Sequence, residues 1–281
     1  MKAIPSIFCI LFVLMATLLV CGCTSNAPLD VPSQEPVKDQ VVEPITSSAK
    51  TLLVYCGAGM KEPMEEIAKV YEEKEGTKIE YTYGGSAQLL SQIELYKKGD
   101  VYMPGALSYI KSAMDKGYVD KTEDIVYHVL AIAVPKGNPA NITGIQDLVR
   151  PGVRVAIGEP SGPAVGAASK KMLEKNNLWN ETEKNIVVKS GTVNELLVYV
   201  AMNQADAALI WMELANPESM ELVEIPKEIG KVDVVPIGTL TFSENKEEAE
   251  KFVTFVASDE GKEIYKKHHF EIYPLAKYGD A

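Results

Sequence analysis

Four short stretches of this sequence combine small residues with hydrogen-bond donors: Cys56-Gly57-Ala58-Gly59, Gly84-Gly85-Ser86, Ser161-Gly162-Pro163-Ala164-Val165 and Gly191-Thr192-Val193. Each lies between an apolar run and a segment of helical period, so each reads as a turn joining a strand to a helix N-terminus. A helix N-terminus presents unpaired backbone N–H groups and about half a positive charge. Several termini converging on one point make an anion site from uncharged donors. None of the four stretches contains Lys, Arg or His. The same pattern also suits ordinary turns of any doubly wound protein, so on pattern alone both readings stand.

Bond-making chemistry finds little support. No HExxH, GxSxG, GxxxxGK[ST] or GxGxxG occurs, and the CGAG turn lacks the third glycine and the spacing of a dinucleotide loop. Of the three histidines, none has a metal or triad partner at telling spacing. His268 and His269 close a Lys-rich helix, where a cation suits the C-terminal dipole, and are read as surface residues. Ser86 has no general base near it in sequence. The acid pairs Glu65-Glu66 and Glu247-Glu248 fall on helix faces expected to be solvated. The expected protein is not an enzyme and holds no free metal ion or cofactor.

The elements that must carry the turns are legible. Residues 52–55 form an apolar run without alternation, as in a strand buried on both faces. A helix follows with Pro63 in its first turn, with Met64, Ile67, Ala68 and Tyr71 on one face, and with Gly76 as its stop. Residues 78–83 read as a second strand and 87–98 as a second helix, with Leu89, Leu90, Ile93 and Tyr96 inward. The rhythm returns as strands at 153–157, 185–189 and 207–211 and helices at 163–176 and 193–203. Two C-terminal helices carry Phe252, Val253, Phe255, Val256, Ile264 and Tyr265. Successive strand–turn–helix units imply parallel sheets with right-handed crossovers. Two sets separated by the apolar stretch 129–134 predict an α/β protein of two doubly wound lobes.

The chain has 281 residues, a net charge of −11 and 24% charged residues. That balance is wrong for nucleic acid, whose phosphates need a basic face. Lys2 followed by the apolar run 7–20 reads as a signal peptide, too short to span a bilayer comfortably. It ends in Val20-Cys21-Gly22-Cys23, which is similar to the lipobox of exported lipoproteins. Cleavage at that motif would remove residues 1–22 and leave Cys23 lipidated, on the outer face of the cell membrane; an ordinary secretory signal or a short anchor is the alternative. Residues 23–49, with Pro28, Pro32, Pro36 and Pro44, read as a flexible tether. Only Cys56 would then remain free, so no disulfide framework is expected.

At the four turns, and from about residue 51 to 272, the sequence resembles the molybdate/tungstate-binding proteins of ABC importers, in the two-lobed solute-binding superfamily. The matching segments are Cys56-Gly57-Ala58-Gly59-Met60, the run from Gly85-Ser86 to Gln92-Ile93-Glu94, Gly99-Asp100-Val101-Tyr102, Gly158-Glu159-Pro160 with Gly166, and Ala208-Leu209-Ile210-Trp211. The resemblance implies a type II periplasmic-binding-protein-like fold with one lobe at 50–130 plus 237–281 and the other at 131–236. It places the family's ligand positions on Gly59, Ser86, Val165, Val193 and Trp211. Gly59 stands where the family has a serine, leaving only a backbone N–H, and Trp211 stands where it has a tyrosine, leaving an indole donor. Glu159 is read as an acid at a helix start and not as a ligand.

The implied function is capture of molybdate or tungstate between the lobes by hinge closure near residues 129–133 and 236–239, and delivery to a membrane permease and its ATPase. Another oxyanion, or a small organic acid, is the nearest alternative. A lipid-anchored surface hydrolase is the alternative from another class.

Overall fold

The computed structural model describes residues 50–278; the expected leader at 1–22, Cys23 and the expected tether to residue 49 lie outside the described residues. β1 (Thr51–Gly57) runs through one 3₁₀ turn, Ala58–Met60, into α1 (Lys61–Glu75). The face of α1 that is buried carries Pro63, Met64, Ile67, Ala68 and Tyr71, and Gly76 ends it in the left-handed region at φ 66°. β2 (Lys78–Gly84) leads into α2 (Ser86–Tyr96), and β3 (Val101–Met103) into α3 (Leu107–Asp115). β1 lies between β2 and β3 with both pairings parallel. These are the first two predicted strand–turn–helix units and a third, shorter one that the sequence did not declare.

β4 (Val119–Pro135) is far longer than the apolar stretch at 129–134: it begins at Val119 and passes through the exposed charges Asp120, Lys121 and Glu123. After it come β5 (Val155–Gly158), α4 (Ala164–Lys175), α5 (Trp179–Lys184), β6 (Ile186–Ser190), α6 (Val193–Ala201), β7 (Ala207–Trp211) and β8 (Met220–Val223). β9 (Val232–Leu240), α7 (Lys246–Ala257), α8 (Asp259–Lys267) and the short β10 (Glu271–Ile272) complete the described chain. The strand order is β2-β1-β3-β9-β4-β7-β5-β6, with β8 and β10 also paired to β4. β4 thus belongs to both halves of the sheet. Up to Val129 it pairs with β9, and from Leu130 it pairs antiparallel with β7.

Each half has its own core. Leu209, Ile210, Ile157, Val165 and Leu196 pack together in one half. In the other, Met60, Met64, Phe252 and Tyr265 lie on one sheet face, and Tyr55, Leu89, Ile93 and Tyr102 on the opposite face. Helices therefore cover both faces, the doubly wound arrangement of a two-lobed α/β protein. Among the described residues no helix is long and apolar enough to cross a membrane.

Asp100, at the start of β3, ties the first lobe together. Its buried carboxylate accepts from Leu53 N–H at 2.8 Å and from the Ser243 hydroxyl at 2.6 Å. Asp100→Ala leaves both donors unmet, and we expect a loss of about 2–3 kcal/mol in urea unfolding. A loss below about 0.5 kcal/mol would show that neither bond stabilises the fold.

Candidate functional site

The four turns meet. Gly59, Ser86, Val165 and Val193, from four helix starts, border one small cavity together with Trp211 at the end of β7. The cavity offers about 20 Å³ to the centre of a water-sized sphere. A single water needs about 10–15 Å³ by the same measure, so this is room for one compact ion. Glycine makes the convergence possible, because the facing backbones come within contact distance. A Cβ on Gly85 would stand 2.8 Å from the Gly191 carbonyl oxygen and 3.2 Å from Pro163 N. Asn194 Nδ2 also donates to the Ala58 carbonyl at 3.1 Å, and Ala87 N–H to the Gly162 carbonyl at 3.1 Å, bonds that join the two halves around the cavity.

The helix starts are open toward this space. None of the caps Gly57, Met60, Gly85, Pro163 and Thr192 uses a side chain to close its helix, which is also true of α3, α5 and α7, whereas Ser258 of α8 accepts from Gly261 N–H. First-turn N–H groups have no intrahelical acceptor. Ser86 Oγ accepts a hydrogen bond from Gly105 N–H at 3.0 Å, which leaves its own hydrogen to donate. Behind it, the Tyr102 hydroxyl donates to the Ser86 carbonyl at 3.0 Å and the Tyr109 hydroxyl to the Gly162 carbonyl at 3.3 Å. Burial pushes both phenols up, so they remain protonated donors. Glu159 is not brought to the cavity: its carboxylate accepts from the Ser161 hydroxyl at 3.2 Å.

Sequence reasoning missed His128. It sits in β4, buried, and also borders the cavity. Its Nδ1 is hydrogen-bonded to Glu213 Oε1, and the two side chains are 1% and 3% exposed. Trp211 lies flat on the imidazole, centroids 4.7 Å apart and planes within 2°. No partner stands at telling spacing in the sequence because it is 85 residues away, on the 3₁₀ turn after β7. The one available signal was a histidine embedded in an apolar strand. Of the other two, His268 caps α8 and pairs through Nε2 with Glu66 at 2.9 Å, and His269 is exposed.

Ser86, His128 and Glu213 are also the residue types of a hydrolytic triad, beside backbone donors of oxyanion-hole type. The Ser86–His128 link of such a triad is not formed: Ser86 Oγ accepts from Gly105 N–H, and no hydrogen bond joins it to His128. Among the described residues no group of three or more His, Cys, Asp or Glu side chains is placed to hold a metal ion. Lys and Arg are missing from the cavity lining, so its positive potential comes from helix starts and, when protonated, His128.

Known proteins share this arrangement of elements. The chain is 30% identical over 236 residues to a Haemophilus influenzae binding protein whose name specifies no ligand, covering 83% of this chain and 96% of that one. It is 24% identical over 261 residues to the molybdate-binding protein ModA of Mycobacterium tuberculosis, covering 92% and 94%. Among solved structures it is similar in fold to the sulfate-binding protein SubI of Mycobacterium tuberculosis, with a TM-score of 0.70 at 17% identity over 82% of this chain and 90% of that one. From residue 52 to residue 271 the sequence matches the family model described as bacterial extracellular solute-binding protein, and the chain belongs to that family.

Proposed function

We propose that this solute-binding protein of an ABC importer captures a tetrahedral oxyanion, molybdate or tungstate, and delivers it to a membrane permease and its ATPase. In this reading Cys23 carries a lipid that holds the protein at the outer face of the membrane. One observation carries the anion reading: four uncapped helix starts and the Ser86 hydroxyl border a single cavity of about 20 Å³ that contains no carboxylate. The backbone N–H groups at Gly59, Val165 and Val193, with Ser86 Oγ, are the proposed donors. Trp211 is assigned a second task, fixing the plane of His128. Charge-assisted hydrogen bonds to an anion are worth about 1.5–3 kcal/mol each, enough to offset desolvation only where the donors are preorganised.

Closure and release follow from the sheet. The hinge is assigned to the point where β4 changes partners, between Val129 and Leu130, and to the segment just ahead of β9. That second point lies upstream of residues 236–239, because β9 is bonded to β3 and β4 from Val232 onward and has no slack there. Residues 232–236 therefore move with the first lobe.

Isothermal titration against molybdate, tungstate, sulfate and phosphate tests the reading, together with elemental mass spectrometry of the anion that co-purifies. Molybdate or tungstate is expected to bind far more tightly than phosphate. Ser86→Ala should weaken the preferred anion by about 1–3 kcal/mol, the scale of one unmet charged hydrogen bond. Tighter binding of phosphate or sulfate would shift the cargo to the alternative, another oxyanion. Failure of every oxyanion to bind would end the reading.

A further inference from the structure

Among the described residues His128 is the only ionisable side chain bordering the cavity. Its Nδ1 faces Glu213, so Nδ1 keeps a hydrogen there and is not available to a ligand. The stacked Trp211 indole fixes the ring plane. The opposite edge is then turned toward the glycine turns: a Cβ on Gly59 would lie 3.6 Å from Cε1, and one on Gly105 3.6 Å from Nε2. Nε2 has no hydrogen-bond partner among the described residues. In the neutral ring with a hydrogen on Nδ1, Nε2 presents a lone pair. A lone pair facing a bare dianion in direct contact is repulsive, so one hydrogen must stand between the two.

Resting on the oxyanion reading, we infer that His128 is the proton-carrying contact of the site, so that binding a fully deprotonated oxyanion takes up one proton from solvent onto Nε2. Only an N–H bond is made, the proton comes from water or buffer, and the His128–Glu213 pair goes from one negative charge to none. An anion that keeps its own hydroxyl hydrogen donates it to the neutral Nε2 and takes up nothing. Glu213 is the positioning residue: it fixes the tautomer and stabilises the imidazolium. It also borders a wider cleft of about 720 Å³, which gives the proton a way in.

Other charges near the ring are already compensated. Asp233 is opposite His128 on β9 and is paired with Lys231 at 2.7 Å. Burial pushes the Asp233 carboxyl up, against the opposing pull of Lys231 and His128. Around the wider cleft, Lys267 and His268 pair with Glu66, and Lys61 with Glu65. Trp211 and Phe270, the aromatic neighbours of the imidazole, carry no charge.

The test is isothermal titration of the wild-type protein with molybdate at about pH 8 in Tris and in HEPES, two buffers of unlike ionisation enthalpy. The binding enthalpies should differ by the equivalent of one proton, and the dissociation constant should rise by up to about tenfold per pH unit on the alkaline side. His128→Gln, whose amide donates without titrating, should give equal enthalpies in both buffers and a flat pH profile. Glu213→Gln should move the fall in affinity to lower pH. In a Trp179→Phe background, molybdate should quench Trp211 fluorescence as an imidazolium forms against the indole. Tight molybdate binding with equal enthalpies in the two buffers would overturn the inference and leave the oxyanion reading intact. If no tetrahedral oxyanion binds, both fall. The wild-type buffer comparison decides the matter even if a variant does not fold.

Discussion

Gly85→Ala is expected to leave both lobes folded and to weaken oxyanion binding about a hundredfold, close to 3 kcal/mol. The backbone at Gly85, φ −70° and ψ 143°, is ordinary for alanine, so the methyl group costs nothing within its own lobe. Its cost arises only on closure, where it would stand 2.8 Å from the Gly191 carbonyl oxygen and 3.2 Å from Pro163 N. Both atoms are backbone and belong to helix-opening turns that border the cavity, so neither can rotate away. Relief requires the halves to separate by several tenths of an ångström. Ser86 and the Gly59 amide then draw back from Val165 and Val193, and two charge-assisted hydrogen bonds of about 1.5–3 kcal/mol each are stretched out of range. Gly191→Ala is the matched control. Its Cβ would meet nothing nearer than Glu195 Oε1 at 3.8 Å, and its N–H is already held by the Glu195 carboxylate at 3.2 Å. Titration calorimetry reads the affinity and thermal unfolding of the ligand-free protein reads the fold. A Gly85→Ala protein with wild-type affinity would show that capture does not need this closure.

The parts of the site that could be read from sequence share one property: their signal is local. Gly57, Gly85, Ser86 and Gly166 lie within a few residues of both the strand they end and the helix they open, so composition and period mark them together. The same holds for α1, whose buried face is the expected set from Pro63 to Tyr71. What stayed hidden is long-range. His128 pairs with Glu213 across 85 residues, and nothing near either residue announces the other. Trp211 could be placed at a ligand position by resemblance, but its stacking on His128 depends on β4 and β7 lying side by side, Leu130 opposite Trp211. The start of β4 was hidden for a different reason. Residues 119–124 carry Asp120, Lys121, Glu123 and Asp124, a polar run, exposed at Asp120, Lys121 and Glu123, that pairs with β9. Partial burial raises the Asp124 carboxyl, helped by Glu123 and opposed by Lys111, a cost that local pattern does not reveal.

The consequence is an asymmetry in the chemistry. Uncharged donors, which set the size and preorganisation of the cavity, come from turns and were legible. The one titratable contact, which would decide whether the anion arrives with or without a proton, comes from tertiary packing and was not. A purely donor-built site would select only bare oxyanions, because a protonated anion needs an acceptor. With His128 at its edge, the proposed site would accept either form, the bare anion with uptake of a proton and the protonated anion without it.

Gly166→Ala should be the most destabilising of these substitutions, by about 3 kcal/mol in urea unfolding of the ligand-free protein. Gly166 is the third residue of α4, and its missing side chain is where the turn after β5 folds back on the helix. A Cβ there would fall 2.4 Å from the Glu159 carbonyl oxygen and 2.6 Å from the Gly158 carbonyl oxygen. These are backbone atoms of the strand end and the turn, held by Glu159 N–H to Ser190 O at 2.8 Å and Gly162 N–H to Glu159 O at 2.9 Å. Making room means moving the helix start off the sheet and breaking one or both bonds, in a half whose core includes Ile157, Ala164 and Val165. The neighbouring Val165 amide moves with it, so added molybdate should raise the melting temperature less than in the wild type. Gly162→Ala, four residues earlier in the same turn, supplies the contrast. Its Cβ would meet Glu159 O at an ordinary 3.5 Å and should be tolerated. If Gly166→Ala costs no more than Gly162→Ala, the close packing of α4 on its turn is not what holds the Val165 amide in place, and the preorganisation on which capture of a bare anion depends must come from elsewhere.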